Sequence, residues 1–320
     1  MVDVVSSDWL ADRLDDVRVV DVRDGWEFDG IGHLPGAVSI PFDRFRSADG
    51  DVGMLPGRDA WTDLLSGAGI AADDDVVAYD DTHGVFAARF LVTALLYGHD
   101  PEKLHLLDGD FSAWNRERET TTEATDVSGT VYEITEPAET PLVDFEAVEA
   151  ALDDPETVIV DTRDPAEYDE GHLPGAVNLD WRELVDDETR GLKPRDELDS
   201  ILDAAGIAPD RRVVLYCNTA RRISHTYVVL SHLGYDDVAF YEAVSPSGRP
   251  ATARSSRTDG RRGQGVSTGS SLAASSLPPS STRSSAPSRS TDSARSATTS
   301  GPAMMPTGPR LSRPPTKPTK

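Results

Sequence analysis

Cysteine is almost absent: the 320-residue chain holds one, Cys217. A single thiol excludes an internal disulfide and any metal cage built from cysteines alone. No metal or other cofactor is therefore expected, and a lone free thiol suits a reducing cytoplasm. Long apolar runs are also missing, since none approaches the roughly 18–20 residues needed to cross a bilayer. The opening MVDVVSSDWLADRLDD lacks a basic start followed by an apolar core, so neither a signal peptide nor a membrane partner is expected. Basic residues are scarce through position 242, where 19 face 54 acidic ones. So acidic a body repels phosphates and excludes a nucleic-acid partner.

The last 78 residues are a different material. From Ala243 on, 12 residues are basic and two are Asp, with no Glu and no aromatic side chain. Ser, Thr, Pro and Arg supply 50 of the 78 positions, too polar a mixture to offset chain entropy by burial. Residues 243–320 are expected to be a disordered tail. They read either as an out-of-frame continuation that replaces a final helix or as a basic interaction tail.

What is present is a repeat. VVDVRDGWEFDGIGHLPGAVSI (19–40) returns as VIVDTRDPAEYDEGHLPGAVNL (158–179). DDDVVAYDDTHGVFAARFLVTALLYGHD (73–100) returns as PDRRVVLYCNTARRISHTYVVLSHLGYD (209–236), in the same order. Two copies of one domain follow, residues 1–118 and 142–242, joined by a Thr/Glu-rich linker over 119–141 with one ordered contact expected at VYEI.

Within the second copy, Asp144 is placed to cap a helix whose Phe145, Val148 and Leu152 share a face. TVIVD (157–161) and RVVLY (212–216) are short, apolar, β-branched runs that read as buried strands. DELDSILDAAGI (196–207) is helical and stops at Gly206, and ISHTYVVLSHLG (223–234) predicts a helix closing at Gly234. Strand and helix in alternation imply an α/β fold, each copy a mostly parallel sheet flanked by helices.

Cys217 follows the second of these strands and precedes a helix, the position where α/β sheets bind ligands. A strand-to-helix loop can point successive amides inward, and Arg221 and Arg222 add positive charge that favours thiolate over thiol. The other reading of a lone buried cysteine is inert packing. In the first copy Asp80 stands at the place of Cys217, and no arginine pair follows it. His33 and His172, within GHLPGA boxes, read as turn-holding residues. Asp161 and Arg163 read as an ion pair beside the site, and His225 lies two helical turns from the cysteine, too far for a base.

The paired D-x-R and GHLPGA segments, with strand–Cys–loop–helix, resemble the rhodanese family of sulfurtransferases in its tandem form, over residues 1 to about 242. The acidic composition is haloarchaeal-like. The resemblance implies that the second copy is catalytic and the first is not. It implies a small anionic sulfur donor such as thiosulfate, a persulfide on Cys217, and a thiophilic acceptor such as cyanide or a thiol. In the loop Cys217-Asn218-Thr219-Ala220-Arg221-Arg222, the amides would hold the persulfide and the two arginines the sulfonate end. Arg163 is a further candidate for substrate contact. Charged loop residues look more like thiosulfate users than 3-mercaptopyruvate users. A pair that completes its own cleft is expected to be a monomer.

Three departures from the family pattern stand out. Ala220 replaces the glycine usual three residues after the cysteine, and would resist a positive φ. Glu167 stands where tandem members often place an arginine that contacts substrate. The tail replaces the expected last helix. Rival readings are a non-catalytic binding or regulatory module, an inactivated product with a frameshifted end, and a phosphatase. The last would need Cys and Arg six apart, where this chain has Ile223.

Overall fold

A computed structural model describes residues 1–46, 55–137 and 139–242. The 243–320 tail of the sequence reading lies outside the described residues. The first copy runs β1 (Asp3–Val5), α1 (Ser7–Ala11), β2 (Arg18–Asp21), α2 (Gly25–Gly30), β3 (Val38–Ser39), α3 (Arg58–Gly67), β4 (Val76–Tyr79), α4 (Val85–Leu96), β5 (Leu104–Leu107) and α5 (Phe111–Glu117). The second runs α6 (Phe145–Leu152), β6 (Thr157–Asp161), α7 (Pro165–Glu170), β7 (Val177–Asn178), α8 (Arg195–Ala204), β8 (Arg212–Cys217), α9 (Ala220–Leu233) and β9 (Val238–Glu242).

All strand pairs within the two sheets are parallel, in the orders β1-β5-β4-β2-β3 and β7-β6-β8-β9. The second order is the first without β1. In place of that strand, Leu142 makes an isolated parallel bridge to Phe240. The continuous apolar runs VVAY and VVLY are buried throughout because helices cover both faces of a parallel sheet.

Local signals act as their chemistry predicts. Asp144 Oδ1 accepts from the Ala147 amide at 2.9 Å and starts α6. Gly234, at φ +88°, ends α9 in the left-handed conformation that a side chain would strain. Each GHLPGA histidine stacks on the aromatic residue of the preceding helix, His33 on Phe28 at 3.6 Å and His172 on Tyr168 at 3.7 Å. Each also bonds that residue's carbonyl through Nδ1, at 3.1 and 2.9 Å. Both boxes are therefore turns held by a ring, not reactive groups.

The segment between the copies lies extended along the first one. Thr121 bridges to His33, and Tyr132 of VYEI is buried with its hydroxyl 3.1 Å from His99 Nδ1.

The copies meet through their equivalent helices, α4 and α9. Buried Arg89 of α4 pairs with Glu242 at the end of β9. A short loop of the second copy, closed by a Val185–Leu192 bridge, reaches into the first. There Arg190 meets Asp110 and the Asp81 carbonyl, and the Leu192 amide donates to Asp108. These contacts bring the loop after β4 up against the start of α9, so each copy faces the other's strand-to-helix turn.

Candidate active site

The end of β8 places Cys217, 2% exposed, in register with Glu242 of β9. One difference from the sequence reading matters at once. The segment 217–222 is not a six-residue loop, because α9 begins at Ala220, three residues earlier than expected. Only Asn218 and Thr219 separate strand from helix, and Ala220, Arg221 and Arg222 form its first turn. Alanine at 220 explains this: it avoids a left-handed turn and favours helix. In the first copy His83 and Gly84 do take positive φ, +54° and +81°, and α4 starts five residues after Asp80.

Asp80 shows what such a wrapped loop can hold. Its carboxylate accepts from the amides of Thr82 at 2.7 Å, Gly84 at 2.8 Å, Phe86 at 2.7 Å and Ala87 at 3.1 Å. Burial pushes its pKa up, and the four amides oppose that. The first copy thus carries an amide-wrapped carboxyl group where the second carries a thiol.

Around Cys217 the contacts are sparser. The Thr219 amide donates to Sγ at 3.4 Å, the Thr219 hydroxyl lies 3.7 Å away, and the thiol donates to Asn218 Oδ1 at 3.5 Å. Thr219 is the N-cap residue of α9 but makes no side-chain cap bond, so its hydroxyl serves the sulfur instead. Burial pushes the thiol pKa up. The Thr219 amide, the Arg222 charge and the Thr219 and Thr162 hydroxyls work against that without winning. The direction is thus opposite to the thiolate expected from the sequence, because desolvation outweighs one amide and a shared cation.

The candidate cations have different fates. Arg163, buried, gives Nε to both oxygens of Asp161 at 2.9 and 3.1 Å, and Nη2 to the Gly171 carbonyl at 2.7 Å. Arg23 repeats the arrangement on Asp21 and Gly32 in the first copy, which has no thiol to serve. Arg163 is a structural brace near the sulfur. Arg222 is ion-paired with Glu167 of α7. Burial would lower its pKa, yet Glu167, Cys217 and Asp164 hold it above the ordinary value. Arg221 makes no ion pair among the described residues. Its guanidinium lies 5.0 Å from the Phe86 ring of the first copy, and burial together with Arg222 lowers its pKa.

Sequence reasoning passed over Thr162 and Phe86, which the fold brings in, and noted Glu167 only as a departure from the family pattern without giving it partners. Glu167 also accepts from Asn218 Nδ2 at 2.7 Å. Thr162, just past β6, gives its hydroxyl to the Tyr216 carbonyl at 3.4 Å and adds a small downward pull on the thiol pKa, and Phe86 comes from the other copy. The pairing of Glu167 was not legible, because its partners are 51 and 55 residues away in sequence. His225 is fully buried against Trp181, its ring centroid 5.2 Å away, and faces the interface rather than the sulfur.

Comparison with known proteins follows this geometry. The rhodanese-like domain model matches residues 6–117 and 144–243. The chain belongs to the rhodanese family. A thiosulfate sulfurtransferase of Corynebacterium glutamicum is 31% identical over 261 residues, spanning 75% of this chain and 85% of that protein. The sulfur carrier protein TtuD of Thermus thermophilus is 30% identical over 269 residues, covering 75% and 90%. Among solved structures, SseA of Escherichia coli, a 3-mercaptopyruvate sulfotransferase, superposes with a TM-score of 0.67 at 24% identity, over 77% of this chain and 99% of that one. As a rhodanese-family member the chain has two tandem domains of this fold. Among the described residues no helix is long and apolar enough to cross a membrane.

Proposed function

We propose that the chain is a sulfurtransferase that moves sulfane sulfur from thiosulfate through a persulfide on Cys217. The observation that carries this reading is the contrast between two equivalent loops. Asp80 fills the first with a carboxyl group wrapped by four amides, whereas Cys217 presents a thiol beside Arg221 and at the start of α9, whose side-chain cap is missing. A helix N-terminus and an arginine with no ion pair among the described residues favour negative charge at the sulfur.

The steps balance as follows. The thiol loses its proton to solvent. The Cys217 thiolate attacks the outer sulfur of thiosulfate, forming an S–S bond while the S–S bond of thiosulfate breaks and sulfite leaves with the electron pair. Cyanide, or a thiolate, then attacks the outer persulfide sulfur and returns the Cys217 thiolate, releasing thiocyanate in the first case. Arg221 is the anion contact for the sulfonate end, with Arg222, Asn218, Thr219 and Ala220 shaping the pocket around the sulfur.

The donor belongs to the second copy on charge grounds. The equivalent side of the first holds a cavity of about 340 Å³ whose lining sets five acids, Asp24, Glu27, Asp43, Asp80 and Asp81, against one arginine, Arg23, itself paired with Asp21. In this reading residues 1–118 are the non-catalytic copy and 142–242 the catalytic one. The test is thiocyanate formation from thiosulfate and cyanide, with wild type against Cys217→Ser. Equal rates for the two would overturn the proposal. A faster reaction with 3-mercaptopyruvate than with thiosulfate would replace the donor and keep the persulfide.

A further inference from the structure

The acid at position 167 and its counterpart in the first copy sit at the same place, six residues after the strand-end aspartate, and do different things. Glu27 turns back on its own helix and accepts from the Asp24 amide at 3.1 Å. Glu167 reaches across to the cysteine turn, where it takes Asn218 Nδ2 at 2.7 Å and the Arg222 guanidinium. A helix cap alone would explain the first arrangement and not the second.

The carboxylate can only accept, so it fixes which way the Asn218 amide points. With Nδ2 committed to Glu167, Oδ1 faces the sulfur and receives the S–H proton at 3.5 Å. An acceptor there favours thiol over thiolate. The same carboxylate neutralises Arg222, whose charge would otherwise act on the sulfur in full. Both effects have the same sign.

The other charged groups around the sulfur are already balanced. Arg163 is held by Asp161, and Glu242, in register with Cys217, is held by Arg89. Arg182 is held by Asp180, and Arg46 by Asp43. Asp164, at the start of α7, adds negative charge near Arg222. Arg221 is left as the one cation of the turn without an ion pair among the described residues.

We propose that Glu167 is a positioning residue that keeps Cys217 protonated and sets the charge of the donor site, so that a dianionic donor gains less there over a monoanionic one than it would with Arg222 unneutralised. The inference rests on the sulfur-transfer reading for its donor half and on geometry alone for its thiol half.

The experiment uses Glu167→Gln, Arg222→Gln and the double variant in the full chain. The pH dependence of Cys217 alkylation by iodoacetamide, a neutral reagent, is read in each. Glu167→Gln should shift the alkylation profile to lower pH and Arg222→Gln to higher pH. The double variant should return close to wild type, because the pair is removed together. Thiosulfate is then compared with methanethiosulfonate, a monoanion with the same transferable sulfur. For one added unit of net charge a few ångströms away, the thiosulfate KM of Glu167→Gln should fall about threefold to tenfold more than the methanethiosulfonate KM.

An alkylation profile unchanged by Glu167→Gln, or equal KM changes for both donors, overturns the proposal. If no donor loads sulfur in any variant, the sulfur-transfer reading fails. The alkylation profiles still decide whether Glu167 governs the thiol.

Discussion

Arg190 of the second copy gives its Nε to both carboxylate oxygens of Asp110 in the first, at 2.7 and 2.8 Å. Asp110 is fully buried and also caps α5 through the Ala113 amide, so the arginine is the main compensation for a buried charge. Arg190→Met should therefore lower stability by about 2–3 kcal/mol, near the lower end for breaking a buried pair because Arg190 is partly exposed. Urea unfolding followed by tryptophan fluorescence measures it. A midpoint equal to wild type would mean that the two copies are held without this tie.

Arg221 and Arg222 should not be interchangeable. Arg221→Gln removes the anion contact proposed for the donor, and its thiosulfate KM should rise about tenfold or more, the scale of a charge-assisted hydrogen bond. Phe86→Ala removes only the ring beneath Arg221 and should raise KM about threefold, the scale of a cation–π contact. Steady-state kinetics on both variants checks the order. A larger effect from Phe86→Ala would place the donor elsewhere.

The raised thiol pKa of Cys217 predicts the direction of pH dependence. Only the thiolate attacks, and burial keeps the group protonated above the ordinary cysteine value of about 8.5. Iodoacetamide alkylation, and sulfur loading from thiosulfate with it, should still be accelerating at about pH 9. A plateau below neutral pH would show a preformed thiolate and contradict the resting geometry.

His225 links stability to acid. It is fully buried at the interface, where desolvation lowers its pKa from 6.5 to about 4, with the neighbouring His83 main chain pulling the other way but lying outside hydrogen-bond geometry. The native pKa is depressed below the unfolded one, so between these values the unfolded chain binds a proton that the native chain refuses. Stability should thus be fully present above pH 6.5 and fall as pH drops toward 4, by as much as about 3 kcal/mol. Urea midpoints at several pH values, wild type against His225→Phe, test this. The variant should lose that part of the slope, and parallel curves would assign the acid sensitivity to other groups.

Much of this architecture is written in short stretches of the chain. Duplication of D-x-R, GHLPGA and strand–turn–helix segments marks two copies, because each segment is a local device: a strand-end aspartate bracing an arginine, a histidine stacked on the aromatic residue before it, a helix stopped at glycine. Such devices act over a few residues, so their pattern survives in one dimension. The same holds for the position of Cys217 at a strand end.

The charges at the site depend instead on groups far apart in the chain. Whether Cys217 rests as thiol or thiolate is a contest between desolvation and charge, and both are set by what packs over the sulfur. Arg221 and Arg222 look alike in sequence, but Glu167 across the turn neutralises one and Phe86 of the other copy lies beside the unpaired other. Even the length of the cysteine turn was settled by folding, since Ala220 could enter the helix where a glycine could have bent away from it. Local propensity identified the turn as the reactive place, and long-range packing assigned its residues their charges.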